Sequence, residues 1–94
     1  MQNKIILLVE DNPDDEELTI MALRENNMTN EVVVAHDGIE ALDYLFGEGK
    51  FAGRDLSIMP ALTLLDLKLP KISGLEVLKR IRSDERTKLL PVVF

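Results

Sequence analysis

The sequence predicts an α/β fold, a doubly wound parallel sheet with the element order β-α-β-α-β-α-β. Two observations lead there. Short apolar runs rich in β-branched residues recur along the chain, at residues 5–9, 32–35, 61–65 and 90–94. Between them lie stretches whose apolar residues fall at helical spacing. Strands that are apolar at every position are buried on both faces, as in a parallel sheet covered by helices on both sides.

Ile5-Ile6-Leu7-Leu8-Val9 is the first strand, and it stops at Glu10-Asp11-Asn12-Pro13. Asn12 suits an N-cap and Pro13 a first helical position. The helix they open is expected to run to about Asn26, with Leu18, Met21 and Ala22 facing inward. Val32-Val33-Val34-Ala35 is a second buried strand, broken by Asp37-Gly38. Ile39, Leu42, Leu45 and Phe46 mark an amphipathic helix ending near Gly47. The loop from Gly47 to Pro60 is long beside the usual ~4–6 residues. Ala61-Leu62-Thr63-Leu64-Leu65 is the third strand, closed by Asp66. Ser73-Gly74-Leu75-Glu76 fits a capping box, and its helix carries Leu75, Val77, Leu78 and Ile81 inward. Leu90-Pro91-Val92-Val93-Phe94 begins a fourth strand.

Composition narrows the functional classes. With 94 residues the chain is one domain, residues 1–94, and 46% hydrophobic with 30% charged residues is the balance of a globular protein. The chain has no cysteine, which excludes disulfides, zinc-thiolate sites and thiol nucleophiles. A net charge of −6 argues against general nucleic-acid binding, which needs a basic face. Lys79, Arg80, Arg82, Arg86 and Lys88 cluster late in the chain and read as a solvated face. No apolar run reaches the roughly 20 residues of a membrane helix. Met1-Gln2-Asn3-Lys4 does not read as a leader, so the expected location is cytoplasmic.

The chemistry gathers where strands end. In open α/β sheets, sites lie beyond the carboxyl ends of the strands, where strand order switches. The first strand ends in Glu10-Asp11 and the third in Asp66. If those strands are neighbours, the three carboxylates converge, and like charges at ~4 Å repel by about 4 kcal/mol at an effective dielectric near 20. Such groups raise one another's pKa values or take a cation. All-oxygen ligands favour magnesium over zinc. Six of the eight residues from Glu10 to Glu17 are acidic. Asp14, Asp15, Glu16 and Glu17 read chiefly as first-turn acids on a helix dipole. Without a glycine cradle, this loop excludes a nucleotide site. The single histidine, His36, reads as an exposed spectator, since no partner at ligand spacing accompanies it.

These residues resemble the receiver domain of two-component response regulators, the flavodoxin-like family that includes the chemotaxis response regulator. The matching pieces are Ile6-Leu7-Leu8-Val9-Glu10-Asp11-Asn12 and Ala35-His36-Asp37-Gly38-Ile39-Glu40-Ala41-Leu42, followed by Leu64-Leu65-Asp66-Leu67-Lys68-Leu69-Pro70-Lys71-Ile72-Ser73-Gly74-Leu75-Glu76-Val77-Leu78 and Pro91-Val92-Val93-Phe94. The long loop before Pro60 is similar to that of the stand-alone receivers that partner cyanobacterial phytochromes. The resemblance implies that Asp66 accepts a phosphoryl group from a phosphohistidine of a sensor histidine kinase, of the phytochrome type. Asp11 and Asp66 would bind Mg2+ directly, Glu10 through water, and Lys68 through its backbone carbonyl. Pro70 and Gly74 would shape the loop after Asp66. Such a protein is a signalling phosphoacceptor acting through protein contacts rather than an enzyme, with at most weak self-phosphorylation and dephosphorylation.

Two other readings compete. A phosphatase of the haloacid-dehalogenase type also uses an Asp at a strand end with magnesium. It wants a second Asp two residues on, where this chain has Lys68. Alternatively, the chain is a phosphotransfer-impaired receiver that serves as an interaction or assembly module. The family pattern continues with a Ser or Thr ending the fourth strand, then a helix, a fifth strand ending in Lys and a last helix. Read as an incomplete receiver without them, the 94-residue chain would expose an apolar sheet edge and face and is expected to self-associate. Light scattering checks this expectation: oligomers or aggregates support it, and a stable, monodisperse monomer overturns it.

Overall fold

In the computed structural model, which describes residues 4–94, the sheet is built outward from its first strand. β1 (Ile5–Val9) pairs in parallel with β2 (Glu31–Ala35) on one side and with β3 (Leu62–Leu65) on the other. β3 pairs with β4 (Val92–Val93), so the parallel sheet has the order β2-β1-β3-β4. Helices α1 (Pro13–Glu25), α2 (Gly38–Phe46) and α3 (Gly74–Arg82) follow the first three strands. The expected element order and fold class are those observed. Met1, Gln2 and Asn3, on which the reading of the start partly rests, lie outside the described residues. Among those residues no helix is long and apolar enough to cross a membrane.

Local chemistry explains the boundaries. The Asn12 side chain accepts from the Asp14 and Asp15 amides at 2.8 and 3.2 Å, with Pro13 in the first turn of α1. Asp37 Oδ1 caps α2 through the Glu40 amide at 2.7 Å, and Gly47 ends that helix in the left-handed conformation, φ +67°. Ser73 Oγ accepts from the Glu76 amide at 3.2 Å and starts α3. β4 is shorter than the apolar run suggested. Leu90 spends its amide on the Thr87 carbonyl at 3.0 Å, and Pro91 has no amide to give. Ala61 lies exposed ahead of β3.

Residues Ile6 to Val9 of β1 are buried, as a central strand requires. β2 is only half-buried over Val32, Val33 and Val34, because it lies at a sheet edge. The core fills one face. Leu7, Val9, Ala35 and Leu65 meet Ala41, Leu42, Tyr44 and Leu45 of α2 and Val77 and Ile81 of α3. Each buried leucine, valine or isoleucine among them contributes about 2 kcal/mol by leaving water. The opposite face carries α1, which buries no residue fully.

Four inward assignments are corrected here. Leu18 is 62% exposed and Met21 50%, with Ala22 exposed as well. The half-buried residues of α1 are instead Glu16, Thr19, Ile20 and Leu23, an i, i+3, i+4, i+7 stripe rotated away from the expected one. Leu75 is 63% exposed, while Val77 and Ile81 are buried and Leu78 packs against the core. Leu75 sits one residue into α3, where the helix start turns it outward. Ile39 occupies the same position in α2 and is also exposed.

The five residues of the late basic cluster are all exposed, as expected, and Arg82 and Arg86 also make contacts within the fold. The Arg82 guanidinium donates to the Lys88 and Leu90 carbonyls at 3.0 and 2.7 Å. Arg86 clamps Asp84 and lies 4.8 Å from the Phe46 ring. The long loop is likewise pinned. It contains a 3-10 turn, Gly49–Phe51, and Arg54 beneath it. Arg54 Nε donates to the Tyr44 carbonyl and Nη1 to the Ile58 carbonyl, both at 2.7 Å, while the guanidinium stacks 4.0 Å from the Tyr44 ring. Phe51 completes the cluster edge-on to Tyr44 at 5.1 Å.

Replacing Arg54 with Met keeps the apolar stem and removes the donors. The expected loss is about 2 kcal/mol, from hydrogen bonds to a charged group, read from urea unfolding. Acid should also destabilise the fold. Burial alone would raise the Asp37 carboxyl, but the Glu40 amide and the Lys71 ammonium outweigh it and hold it below 3.8. Burial is similarly outweighed at Glu40 by Lys50 and the His36 amide, which hold it below 4.5. Carboxyls depressed in the fold stabilise it above their unfolded values, and that stability is lost as pH falls through the folded ones. The urea midpoint is therefore expected to fall below about pH 4.5, and less steeply in Glu40→Gln.

Candidate functional site

The backbone ladder continues one residue past the strand ends. The Glu10 amide donates to the Ala35 carbonyl at 2.9 Å and the Asp66 amide to the Val9 carbonyl at 3.3 Å. With Val9 opposite Leu65, Glu10 and Asp66 emerge side by side at the switch in strand order. Asp11 follows at the start of the turn into α1. One carboxylate oxygen from each of Glu10, Asp11 and Asp66 lies within 4.8 Å of the other two. The convergence expected from strand ends is present, with Glu10 and Asp66 half-buried and Asp11 exposed.

Glu10 registers the crowding. Its carboxyl is raised above 4.5, chiefly by burial, with the Asp66, Asp15 and Asp11 charges adding to the rise and the Asn12 amide opposing it. Asn12 donates that amide to Glu10 Oε2 at 3.2 Å while its own side chain caps α1. The positive end of the α1 dipole therefore faces the acids and offsets part of their repulsion. Asp66 is oriented from the other side, as the Lys68 amide donates to its Oδ1 at 3.0 Å. This bond folds the chain after β3 back across the carboxylate and brings the Lys68 peptide beside it. The Lys68 side chain is exposed, as expected.

Pro70 is exposed in this loop, whereas Gly74 is buried and cannot be larger. A Cβ on Gly74 would collide with the Asp66 carbonyl oxygen, so only glycine lets α3 start against the end of β3. Gly38 is similarly confined. A Cβ there would meet Ile72 Cγ1 at 2.5 Å and Val77 Cγ2 at 2.8 Å. Read in sequence, Asp37-Gly38 announces only a break. The close approach at Gly38 depends on a loop more than thirty residues away, and nothing local signals it.

The acids open into a cleft of about 450 Å³. Glu10, Asp15 and Asp66 line its polar part, and Leu8, Leu64, Val93 and Phe94 its apolar part. Asp15, expected chiefly as a helix-dipole acid, also lines the cleft and adds to its charge. His36 is not a bare spectator. Its Nε2 lies 3.3 Å from Glu16 Oε1 and its Nδ1 3.4 Å from Glu40 Oε1, tying the loop after β2 to α1. It does not join the acid cluster.

All the ligands offered by this cluster are hard oxygens, at a spacing that one cation can bridge. The set therefore fits Mg2+ or a similar divalent ion. A carboxylate held in such a cluster can also act as an oxygen nucleophile beside a bound cation.

The comparisons with known proteins agree with this geometry. Residues 6–94 match the family model of the response regulator receiver domain. The response regulator Rcp1 of Synechocystis is 39% identical over 90 residues, covering 96% of this chain and 59% of that protein. The bacteriophytochrome response regulator AtBRR superposes with a TM-score of 0.92 at 52% identity, covering 99% of this chain and 66% of that one. The phosphorylated cyanobacterial phytochrome response regulator RcpA gives 0.84 at 46% identity, over 97% and 63%. Rcp1 in its Mn2+-bound form gives 0.83 at 37% identity, over 95% and 62%. The chain thus spans about three-fifths of the length of Rcp1. Its parallel sheet, its three carboxylates at the β1/β3 switch and its match over residues 6–94 place it in the receiver-domain family of two-component response regulators.

Proposed function

We propose that the chain is a phosphoacceptor of a phosphorelay, taking a phosphoryl group from a kinase phosphohistidine onto Asp66. The observation that carries this reading is the meeting of Glu10, Asp11 and Asp66 within 4.8 Å at the end of the sheet. Asp66 Oδ1 is engaged by the Lys68 amide, which leaves Oδ2 to attack phosphorus. The new P–O bond forms as the P–N bond to histidine breaks, and the product is an aspartyl phosphate with a released imidazole. Asp11 and Asp66 would hold Mg2+ directly, with Glu10 through water and the Lys68 backbone carbonyl completing the protein's share. When bound, the cation supplies positive charge that offsets the carboxylates and the phosphoryl oxygens. The positive end of α1 adds a fixed dipole of the same sign. Pro70 and Gly74 shape the loop that holds the Lys68 peptide in place.

The donor is a sensor histidine kinase, of the phytochrome type. Likeness to the bacteriophytochrome response regulator AtBRR and to the cyanobacterial phytochrome response regulator RcpA supports this choice. RcpA's phosphorylated form and Rcp1's Mn2+-bound form support the chemistry. The protein works in the cytoplasm as a signalling acceptor, not as a turnover enzyme. A second reading, assembly with another copy or partner, is favoured by the exposed apolar residues Leu18 and Met21 on α1.

Labelling with acetyl phosphate tests the proposal. The wild-type chain is expected to gain one phosphoryl group only with Mg2+, and Asp66→Asn none. Equal labelling of Asp66→Asn and wild type would remove Asp66 from its role. Absence of labelling in a folded, Mg2+-saturated chain would leave the assembly reading.

A further inference from the structure

The loop between Asp66 and Gly74 contains a lysine in an uncommon backbone conformation. Lys71 has φ +71°, in the left-handed region that disfavours residues with a Cβ. Its ammonium lies 3.1 Å from Asp37 Oδ2, while Asp37 Oδ1 caps α2 through the Glu40 amide at 2.7 Å. One carboxylate thus joins the start of α2 to the loop after Asp66. A second contact lies beside it, since the bare face of Gly38 packs on Ile72. Within the loop, the Ile72 amide donates to the Pro70 carbonyl at 2.9 Å and the Gly74 amide to the Leu67 carbonyl at 3.0 Å. The loop's near end is fixed by the Lys68 amide on Asp66 Oδ1.

We propose that Lys71 is a positioning residue: clasped by Asp37, it holds the loop so that the Lys68 carbonyl faces the cation site. This inference rests on the reading of Glu10, Asp11, Asp66 and the Lys68 carbonyl as an Mg2+ site. Lys71 is itself 60% exposed and touches no member of that site, so it acts through the backbone between Lys68 and Ile72. An ion pair with one exposed partner adds little to global stability. Its effect is local. It selects the left-handed turn at Lys71 and so fixes where the preceding three residues lie. Small displacements of groups that orient a metal's ligands are costly to binding.

The test uses the full chain with Lys71→Ala, Lys71→Gly, Lys71→Arg and Asp37→Asn. Three quantities are measured: Mg2+ affinity by calorimetry, the urea midpoint, and amide hydrogen exchange of the metal-free protein at Lys68, Ile72 and Gly74. Lys71→Ala is expected to weaken Mg2+ binding about tenfold and to speed exchange at those amides. Lys71→Gly, which relaxes the backbone, is expected to weaken binding as well, while Lys71→Arg stays close to wild type. Asp37→Asn keeps the α2 cap, because asparagine caps as well as aspartate, yet is expected to match Lys71→Ala. The double variant should be no worse than either single one, as two halves of one contact require. Unchanged exchange in Lys71→Ala overturns the clasp whatever the metal does. Faster exchange with unchanged Mg2+ affinity, or additive losses in the double variant, overturns the positioning role. A wild-type chain that binds no Mg2+ overturns the reading of the site instead, and is distinguished because the exchange comparison is made without metal.

Discussion

Because β1 lies between β2 and β3 with all three parallel, whatever follows Val9 and Leu65 must emerge at the same end of the sheet. In this chain those residues are Glu10, Asp11 and Asp66, and mutual repulsion is built into the fold. The surrounding structure compensates it in part. The α1 N-terminus points its dipole at the cluster, Asn12 bonds Glu10, and the Lys68 amide bonds Asp66. What remains is a raised Glu10 carboxyl and a concentration of negative charge suited to a cation. Local strain of this sort is common where a site's chemistry outweighs the demands of stability.

The two faces of the sheet carry different duties. Core packing is concentrated where α2 and α3 meet Leu7, Val9, Ala35 and Leu65. That face holds Gly38 and Gly74 at close approach and so locates the loop after Asp66. The α1 face is less tightly packed, and α1 buries no residue fully. Rigidity is thus supplied from the α2 and α3 side of the site. The long loop after α2 does not dilute that rigidity, because Arg54 fastens it to Tyr44 and Ile58.

The inward face of α1 shows the limit of reading periodicity. Apolar residues run almost without a break from Leu18 to Leu23, so spacing alone admits a face of Leu18, Met21 and Ala22 as well as one of Ile20 and Leu23. The observed contact stripe of Glu16, Thr19, Ile20 and Leu23 includes a carboxylate engaged by His36 and a hydroxyl beside the cleft. Leu75 and Ile39 are exposed for a simpler reason, since each directly follows the buried glycine that starts its helix, Gly74 or Gly38, and one residue further round a helix lies off the packed face.

Sequence alone determined the order of elements, the caps at Asn12 and Ser73, the acids at two strand ends and the candidate acceptor Asp66. Each depends on a few neighbouring residues or on a short repeat, where propensity and hydrogen bonding act locally. Tertiary structure decided that β1 and β3 are neighbours, which turned three separate acids into one site. It also decided that Asp37 meets Lys71, that Glu16 and Glu40 flank His36, and that Gly38 lies against Ile72. These pairings join residues four to thirty-four apart in sequence, and most arise only once the sheet is assembled. Their partners are chosen by packing and by the shared destination of charged groups, neither of which a local pattern records.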